Sequence, residues 1–337
     1  MKRRFVLSGY FGFKNFGDEA ILSVLINKLQ QDKHRVTVIS SDPQYTLKNY
    51  KHIRSIKTFN FRNIIGAIAK SDVLISGGGS LLQDVTSVKS LIYYLLIIAI
   101  GLFLRKKVII FAQGIGPINS IAGKTLTKQL LKHCTYISVR DEKSYELLKN
   151  WNIDADLVCD PIFSTNVDSA SKTNTVAVQL RDFRTMNEDF IDRLAQKVCQ
   201  EFADKNIEIY SFQDSIDLNI CKKFQKAVSM LNPDIKTTLY SNLTNEEIIS
   251  KISKAEYLIA MRFHAIIIGL LAKSKILAIN YDIKVAKIAK EFQLPVIDMK
   301  NNFKDEFKNL KNQNIEQIRR LVSGKIFDWS GFNRAIN

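Results

Sequence analysis

Val73-Leu74-Ile75-Ser76-Gly77-Gly78-Gly79-Ser80-Leu81-Leu82-Gln83-Asp84 runs from a short apolar segment straight into three consecutive glycines. An apolar run of this length with no polar alternation predicts a strand covered on both faces, as in a parallel sheet. Glycines at its C-terminal end sit where open α/β sheets bind ligands. The same plan recurs on either side. Phe5-Val6-Leu7 predicts a strand, followed by a glycine-rich turn and a helix over Asp18 to Leu29. Val36 to Ile39, Val108 to Ala112 and Tyr136 to Val139 predict further strands. Ser87 to Leu104, Thr125 to Lys132 and Glu142 to Trp151 predict helices.

The second half repeats the alternation. Strands are expected at Val176 to Leu180, Ile207 to Phe212, Tyr257 to Ala260 and Ile276 to Asn280. Helices are expected at Asp189 to Ala203, Leu218 to Met230, Glu246 to Lys254, Ala265 to Ala272 and Lys284 to Phe292. The polar stretch Ser164 to Asn174 marks a linker. Two α/β domains therefore fit the 337 residues, at 1–165 and 175–300. Residues 301–337 predict a helical tail that crosses back onto the first domain.

Composition excludes several classes. Hydrophobic residues are 46% and charged residues 24% of the chain, enough for two cores without metals or disulfides. The four cysteines, Cys134, Cys159, Cys199 and Cys221, have no metal-ligand spacing and read as free thiols of a reducing compartment. No secretory signal is visible. Leu91 to Leu104 is too short to span a bilayer and reads as a buried helix, the other reading being a helix that also touches a membrane surface. The net charge is +16, and residues 1–160 hold 23 Lys and Arg against 12 Asp and Glu, while residues 161–337 hold 26 against 21. No carboxylate occurs from Val85 to Arg140, or from Pro43 to Ser71. A basic N-terminal half attracts anionic headgroups or phosphorylated ligands. No nucleic-acid-binding motif accompanies the charge, so nucleic acid is not an expected partner.

Six strand-to-helix junctions carry candidate chemistry. In the first, Gly9 to Glu19, the glycines fall at 9, 12 and 17 rather than in the dinucleotide pattern. Gly9 and Asn15 line a helix N-terminus there. Asp18 and Glu19 either balance the helix dipole or meet a ligand hydroxyl, as grip or base. In the second, Gly78 and Gly79 allow close approach, and Gln83 and Asp84 face a polar group. Gln113-Gly114-Ile115-Gly116-Pro117 offers Gln113 to a hydroxyl. Arg140 ends a strand, where it reaches a ligand or forms a surface ion pair. Met261-Arg262-Phe263-His264 joins a buried strand to an apolar helix, an anion site in which His264 can also move a proton. Asn280-Tyr281-Asp282-Ile283-Lys284 places Lys284 beside it. Phosphate loops, zinc-protease and serine-hydrolase motifs are absent from the sequence. Asp154-Ala155-Asp156 lacks a strand context for metal binding, so no metal and no cofactor are expected.

Taken in order, GGGSLLQD, QGIGP, VRDEKS, MRFHA and YDIKV, with the Gly9 to Ala20 segment before them, make the chain resemble the polysaccharide pyruvyl transferases. The nearest likeness is to the bacterial branch acting on N-acetylmannosamine of secondary cell wall polymer. The resemblance runs over about residues 4–298 and departs at Phe263, commonly Leu, and Ile283, commonly Pro.

It implies a GT-B-like α/β fold, two Rossmann-like domains facing a central cleft, with the acceptor on the first and the donor on the second. It implies phosphoenolpyruvate as donor and co-substrate, and a lipid-linked saccharide acceptor. The product is a 4,6-ketal, with phosphate released. Carried over, Arg262, His264 and Lys284 hold the donor, and Arg140 supplies a further cation. His264 is the expected acid or phosphate ligand, and Asp18 the expected base. The enzyme is expected in the cytoplasm, peripheral at the inner membrane face. The alternative is a GT-B glycosyltransferase that uses a nucleotide sugar, which the fold alone does not separate.

Overall fold

The computed structural model describes residues 2–167, 171–183, 186–300 and 303–337. Residues 168–170 of the expected linker and 301–302 of the expected tail lie outside them. The chain divides into two compact units. One runs through Thr165 and takes in Ile326–Asn337, and the other is Asn166–Lys325.

In the first unit β1 (Arg4–Ser8), α1 (Phe16–Gln31), β2 (Arg35–Ser40), α2 (Pro43–Asn49), β3 (Ile53–Lys57) and α3 (Phe61–Ala69) follow in turn. Then come β4 (Val73–Gly77), α4 (Val88–Phe103), β5 (Lys107–Gln113), α5 (Ile121–Leu131), β6 (Tyr136–Val139), α6 (Glu142–Asn150) and β7 (Asp156–Leu157). The strands pair in the order β3-β2-β1-β4-β5-β6-β7, all parallel. The chain leaves β1 toward one edge and returns to β4 on its other side. The C-terminal ends of β1 and β4 therefore flank the topological switch point.

The second unit repeats the plan with β8 (Thr173–Gln179), α7 (Glu188–Glu201), β9 (Asn206–Tyr210), α8 (Asp214–Leu231), β10 (Thr237–Tyr240) and α9 (Asn245–Lys254). It continues with β11 (Ala255–Ala260), α10 (Phe263–Leu271), β12 (Lys275–Asn280), α11 (Ile283–Glu291), β13 (Val296–Asp298), α12 (Glu306–Lys311) and α13 (Ile315–Ser323). Its parallel sheet has the order β10-β9-β8-β11-β12-β13, so β8 and β11 flank the second switch point.

The tail is not one element. α12 and α13 belong to the second unit, whereas α14 (Ser330–Ile336) belongs to the first. There Phe327, Trp329 and Phe332 surround the fully buried Phe111 of β5, with ring centroids 5.3 to 5.5 Å away. Such aromatic contacts anchor a short segment that its own propensity would not hold.

Candidate functional site

At the first switch point the loop after β1 meets the loop after β4. A side chain at Gly9 would place its Cβ 2.6 Å from the Gly77 carbonyl oxygen. Gly78 and Gly79 both have positive φ, and a Cβ on Gly79 would lie 2.5 Å from Asp18 Oδ1. The glycines thus bring the β4 loop against the first turn of α1. Asn15 caps that helix, its side-chain oxygen accepting the Gly17 N–H at 3.1 Å. The β4 and β5 loops are themselves joined, with the Gly114 N–H donating to the Gly79 carbonyl at 3.0 Å.

Asp18 and Glu19 have different fates although they are neighbours. Asp18 is half-buried beside Gly79. Its charge raises the Tyr10 and Tyr94 hydroxyls above their usual range, secondary to burial, which puts both tyrosines in its field. Neither tyrosine stood out in the sequence. Glu19 is only 1% exposed and turns back into its own loop, where Oε1 accepts the Gly12 N–H at 2.7 Å. Burial pushes its carboxyl up to about 8, with the Asp18 charge adding to the effect and the Gly12 N–H opposing it. Glu19 therefore shapes the loop through Oε1.

Four further candidates are held by the protein. Gln113 is fully buried, its amide donating to Ser76 Oγ at 2.9 Å, so it joins β4 to β5. Asp84 takes the Asn119 and Ser120 N–H groups at 2.7 and 2.8 Å and the Ser120 hydroxyl at 2.7 Å. These bonds hold its carboxyl below the usual range and place it at the start of α5. Gln83 closes a local turn with Thr86, whose N–H it accepts at 3.1 Å. Arg140 is neither a surface pair nor an open cation. Its Nη1 lies 2.5 Å from Asp160 Oδ2, with both side chains buried.

At the second switch point the Arg262 guanidinium is likewise engaged. Nε and Nη2 donate to Asp217 Oδ2 and Oδ1 at 2.8 and 2.7 Å, and the Arg262 N–H donates to Gln179 Oε1 at 2.8 Å. The fork expected to hold a ligand is closed on a carboxylate from α8. Burial raises the Asp217 carboxyl while Arg262 opposes the rise. His264 is half-buried in the first turn of α10, its ring 5.1 Å from that of Phe263. Lys284 is exposed at the start of α11, which Asp282 caps by accepting the Val285 N–H at 2.9 Å. Arg181 also stands here, two residues beyond the end of β8, with Nη1 3.3 Å from the Tyr281 hydroxyl. The strand-end pattern that pointed to Arg262 applies equally to Arg181. Among the described residues no group of three or more His, Cys, Asp or Glu could hold a metal ion.

The family model described as polysaccharide pyruvyl transferase matches residues 15–283. Solved structures of other proteins share the fold at low identity. A UDP-GlcNAc 2-epimerase from Neisseria meningitidis, bound to UDP-GlcNAc, matches with TM-score 0.62 and 12% identity over 96% of this chain and 94% of its own. A glycosyltransferase from Rickettsia africae matches with TM-score 0.62 and 14% identity over 99% and 97%. The S. aureus MnaA–UDP structure matches with TM-score 0.66 and 12% identity over 100% and 95%. These likenesses show a GT-B-like α/β fold of two Rossmann-like units.

Proposed function

The chain belongs to the polysaccharide pyruvyl transferase family, and on that premise we propose that it moves the pyruvyl group of phosphoenolpyruvate onto a lipid-linked sugar, N-acetylmannosamine being the first candidate. Two C–O bonds form at C2 of the donor, and its bond to the phosphate oxygen breaks. One hydroxyl proton ends on the methylene carbon, which becomes methyl, and the other leaves with phosphate. The product is a 4,6-ketal.

The observation that carries this reading is the chemistry at the two switch points. The second unit presents cations and a histidine, Arg181, His264 and Lys284, suited to a small dianion. The first presents a carboxylate, Asp18, in a glycine-lined turn beside Tyr10 and Tyr94. Phosphoenolpyruvate carries both carboxylate and phosphate, so it needs several positive groups. A sugar needs hydrogen-bond partners and a base. His264 then protonates the methylene or binds phosphate, and Asp18 takes a hydroxyl proton. Gly9, Asn15, Gly78 and Gly79 form the acceptor side.

UDP and UDP-GlcNAc bound to two structural relatives, and a third relative that is a glycosyltransferase, favour a second reading, a glycosyltransferase that uses a nucleotide sugar. Thermal unfolding with millimolar phosphoenolpyruvate separates the two, because a ligand of the native state raises the midpoint. A rise with phosphoenolpyruvate, and phosphate release that His264→Ala abolishes at saturating donor, supports the pyruvyl reading. A rise with a nucleotide sugar alone sinks it.

The acceptor's lipid places the enzyme at an anionic membrane in this reading. No helix among the described residues is long and apolar enough to cross one. α4 nevertheless exposes Ile92, Leu96 and Phe103 along one side, and its neighbour α5 exposes Ile121. Arg105 and Lys124 are exposed close by, and no carboxylate occurs between Val85 and Arg140. Apolar side chains among basic ones suit an anionic surface. A second copy of the same face would instead oppose like charges.

A further inference from the structure

β8, β9, β11 and β12 end along one edge of the second sheet, and the side chains at their ends divide into a closed set and an open one. The closed set centres on Asp217. Its two oxygens receive Nε and Nη2 of Arg262, and Oδ2 also accepts the Phe212 and Gln213 N–H groups at 3.2 and 3.1 Å. Asp217 is fully buried and Arg262 is 7% exposed. A guanidinium that has both arms on one carboxylate cannot offer the same two-armed grip to a ligand.

Arg181 is placed differently. It follows β8, the strand paired with β11 at the switch point. Its N–H donates to Met261 Sδ at 3.2 Å, which ties its backbone to the β11 end. The side chain lies over Tyr281, with the guanidinium carbon 5.6 Å from the ring centroid and Nη1 3.3 Å from the hydroxyl. Its Nε is buried and has no acceptor among the described residues. Arg181 forms no ion pair among them either. The Asp217 carboxylate is thus taken up by Arg262, while Asp214 and Asp282 at the neighbouring strand ends accept the Asn242 and Val285 N–H groups at 2.9 Å each. A donor buried without an acceptor is costly, and a guanidinium fork fits the paired oxygens of a carboxylate or phosphate.

We infer that Arg181 is the guanidinium that grips the anionic group of the ligand at this edge, while Arg262 and Asp217 form the frame that positions it. Naming that ligand as phosphoenolpyruvate rests on the function proposed above. The anion site itself does not. Arg262 is then a positioning residue, which reverses the roles that the MRFHA motif alone suggests.

Titration calorimetry on the full chain tests the assignment, with phosphoenolpyruvate, inorganic phosphate and pyruvate as separate probes. Arg181→Gln is expected to weaken phosphoenolpyruvate binding about 10- to 100-fold, the range for one charge-assisted contact. Its unliganded thermal midpoint is expected to fall only slightly, because the side-chain partner it leaves behind is the neutral Tyr281 hydroxyl rather than a buried charge. Arg181→Lys restores the charge but not the fork, and recovers part of the affinity. Phosphate and pyruvate show which end of the donor Arg181 takes. Wild-type-like phosphoenolpyruvate binding by Arg181→Gln would overturn the assignment and leave the donor reading intact. If the wild type does not bind phosphoenolpyruvate, the donor reading fails. Inorganic phosphate binding that Arg181→Gln removes would then still support the site, and no Arg181-dependent binding of any of the three anions would overturn both.

Discussion

Arg262 closes its guanidinium on Asp217 across 45 residues of sequence, the two groups meeting through paired contacts of 2.7 and 2.8 Å inside the second unit. Breaking such a pair leaves a buried charge alone, which costs about 3–5 kcal/mol. Asp217→Asn and Arg262→Met are each expected to lower the unfolding free energy from denaturant titration by that order. The double substitution is expected to cost less than the two single effects together, with a coupling of about 1–3 kcal/mol. Additive effects in the cycle would show that the pair does not act as a unit.

Glu19 gives a pH signature. Its carboxyl is held up to about 8 in the folded chain against an ordinary value of 4.5, chiefly by burial. The folded form thus keeps a proton that the unfolded chain releases at lower pH. The associated stability is full below pH 4.5 and is lost as pH rises through about 8. The loss amounts to roughly 3–5 kcal/mol. Glu19→Gln keeps an oxygen for the Gly12 N–H and cannot ionise, so unfolding between pH 5 and 9 should lose this slope. An unchanged slope in the variant would refute the assignment.

The alternation of strand and helix was legible because the central strands are continuous apolar runs covered on both faces. Ile53–Lys57, Thr237–Tyr240 and Val296–Asp298 escaped that reading, being short or polar strands at or near sheet edges. The glycine turns also announced themselves, since three glycines after a strand have few packing roles. The partner of an arginine did not. Asp217 sits on α8 and Asp160 follows β7, and neither is near its arginine in sequence. Asp18 and Glu19 carry the same helix-start signal, yet a step of about 100° around the helix separates a half-buried carboxylate from an enclosed one. The tail's return to the first unit had a signal in the aromatic cluster Phe327, Trp329 and Phe332, inside an otherwise polar segment.

Two glycines should respond oppositely to alanine. At Gly79 φ is +65° and the added Cβ would meet Asp18 Oδ1 at 2.5 Å. Gly79→Ala is expected to cost about 1–3 kcal/mol through backbone strain. It also displaces Asp18, the proposed base, and misplacing a base costs on the order of 100-fold in turnover. Donor affinity should stay unchanged, because Arg181, His264 and Lys284 lie in the other unit. Gly66 is in α3 with nothing within 4 Å of its Cβ position, so Gly66→Ala should stabilise by about 0.5–1 kcal/mol. Equal effects at the two sites would show that the β4 loop is not held against Asp18.

The exposed face of α4 gives the last prediction. Phe103 is 87% and Ile92 55% exposed on a helix whose other side packs in the core. Vesicles containing anionic lipid should bind the protein, and zwitterionic vesicles should bind it weakly. Rising salt should weaken the attachment, since screening shortens the reach of each basic side chain to about 8 Å at physiological ionic strength. Ile92→Asp with Phe103→Ser should weaken it further by removing the inserted groups and adding a like-charged carboxylate. Turnover on a soluble acceptor lacking the lipid should be unaffected, because neither residue is among the proposed donor or acceptor contacts. Binding that ignores both salt and these substitutions would place the membrane contact elsewhere on the protein.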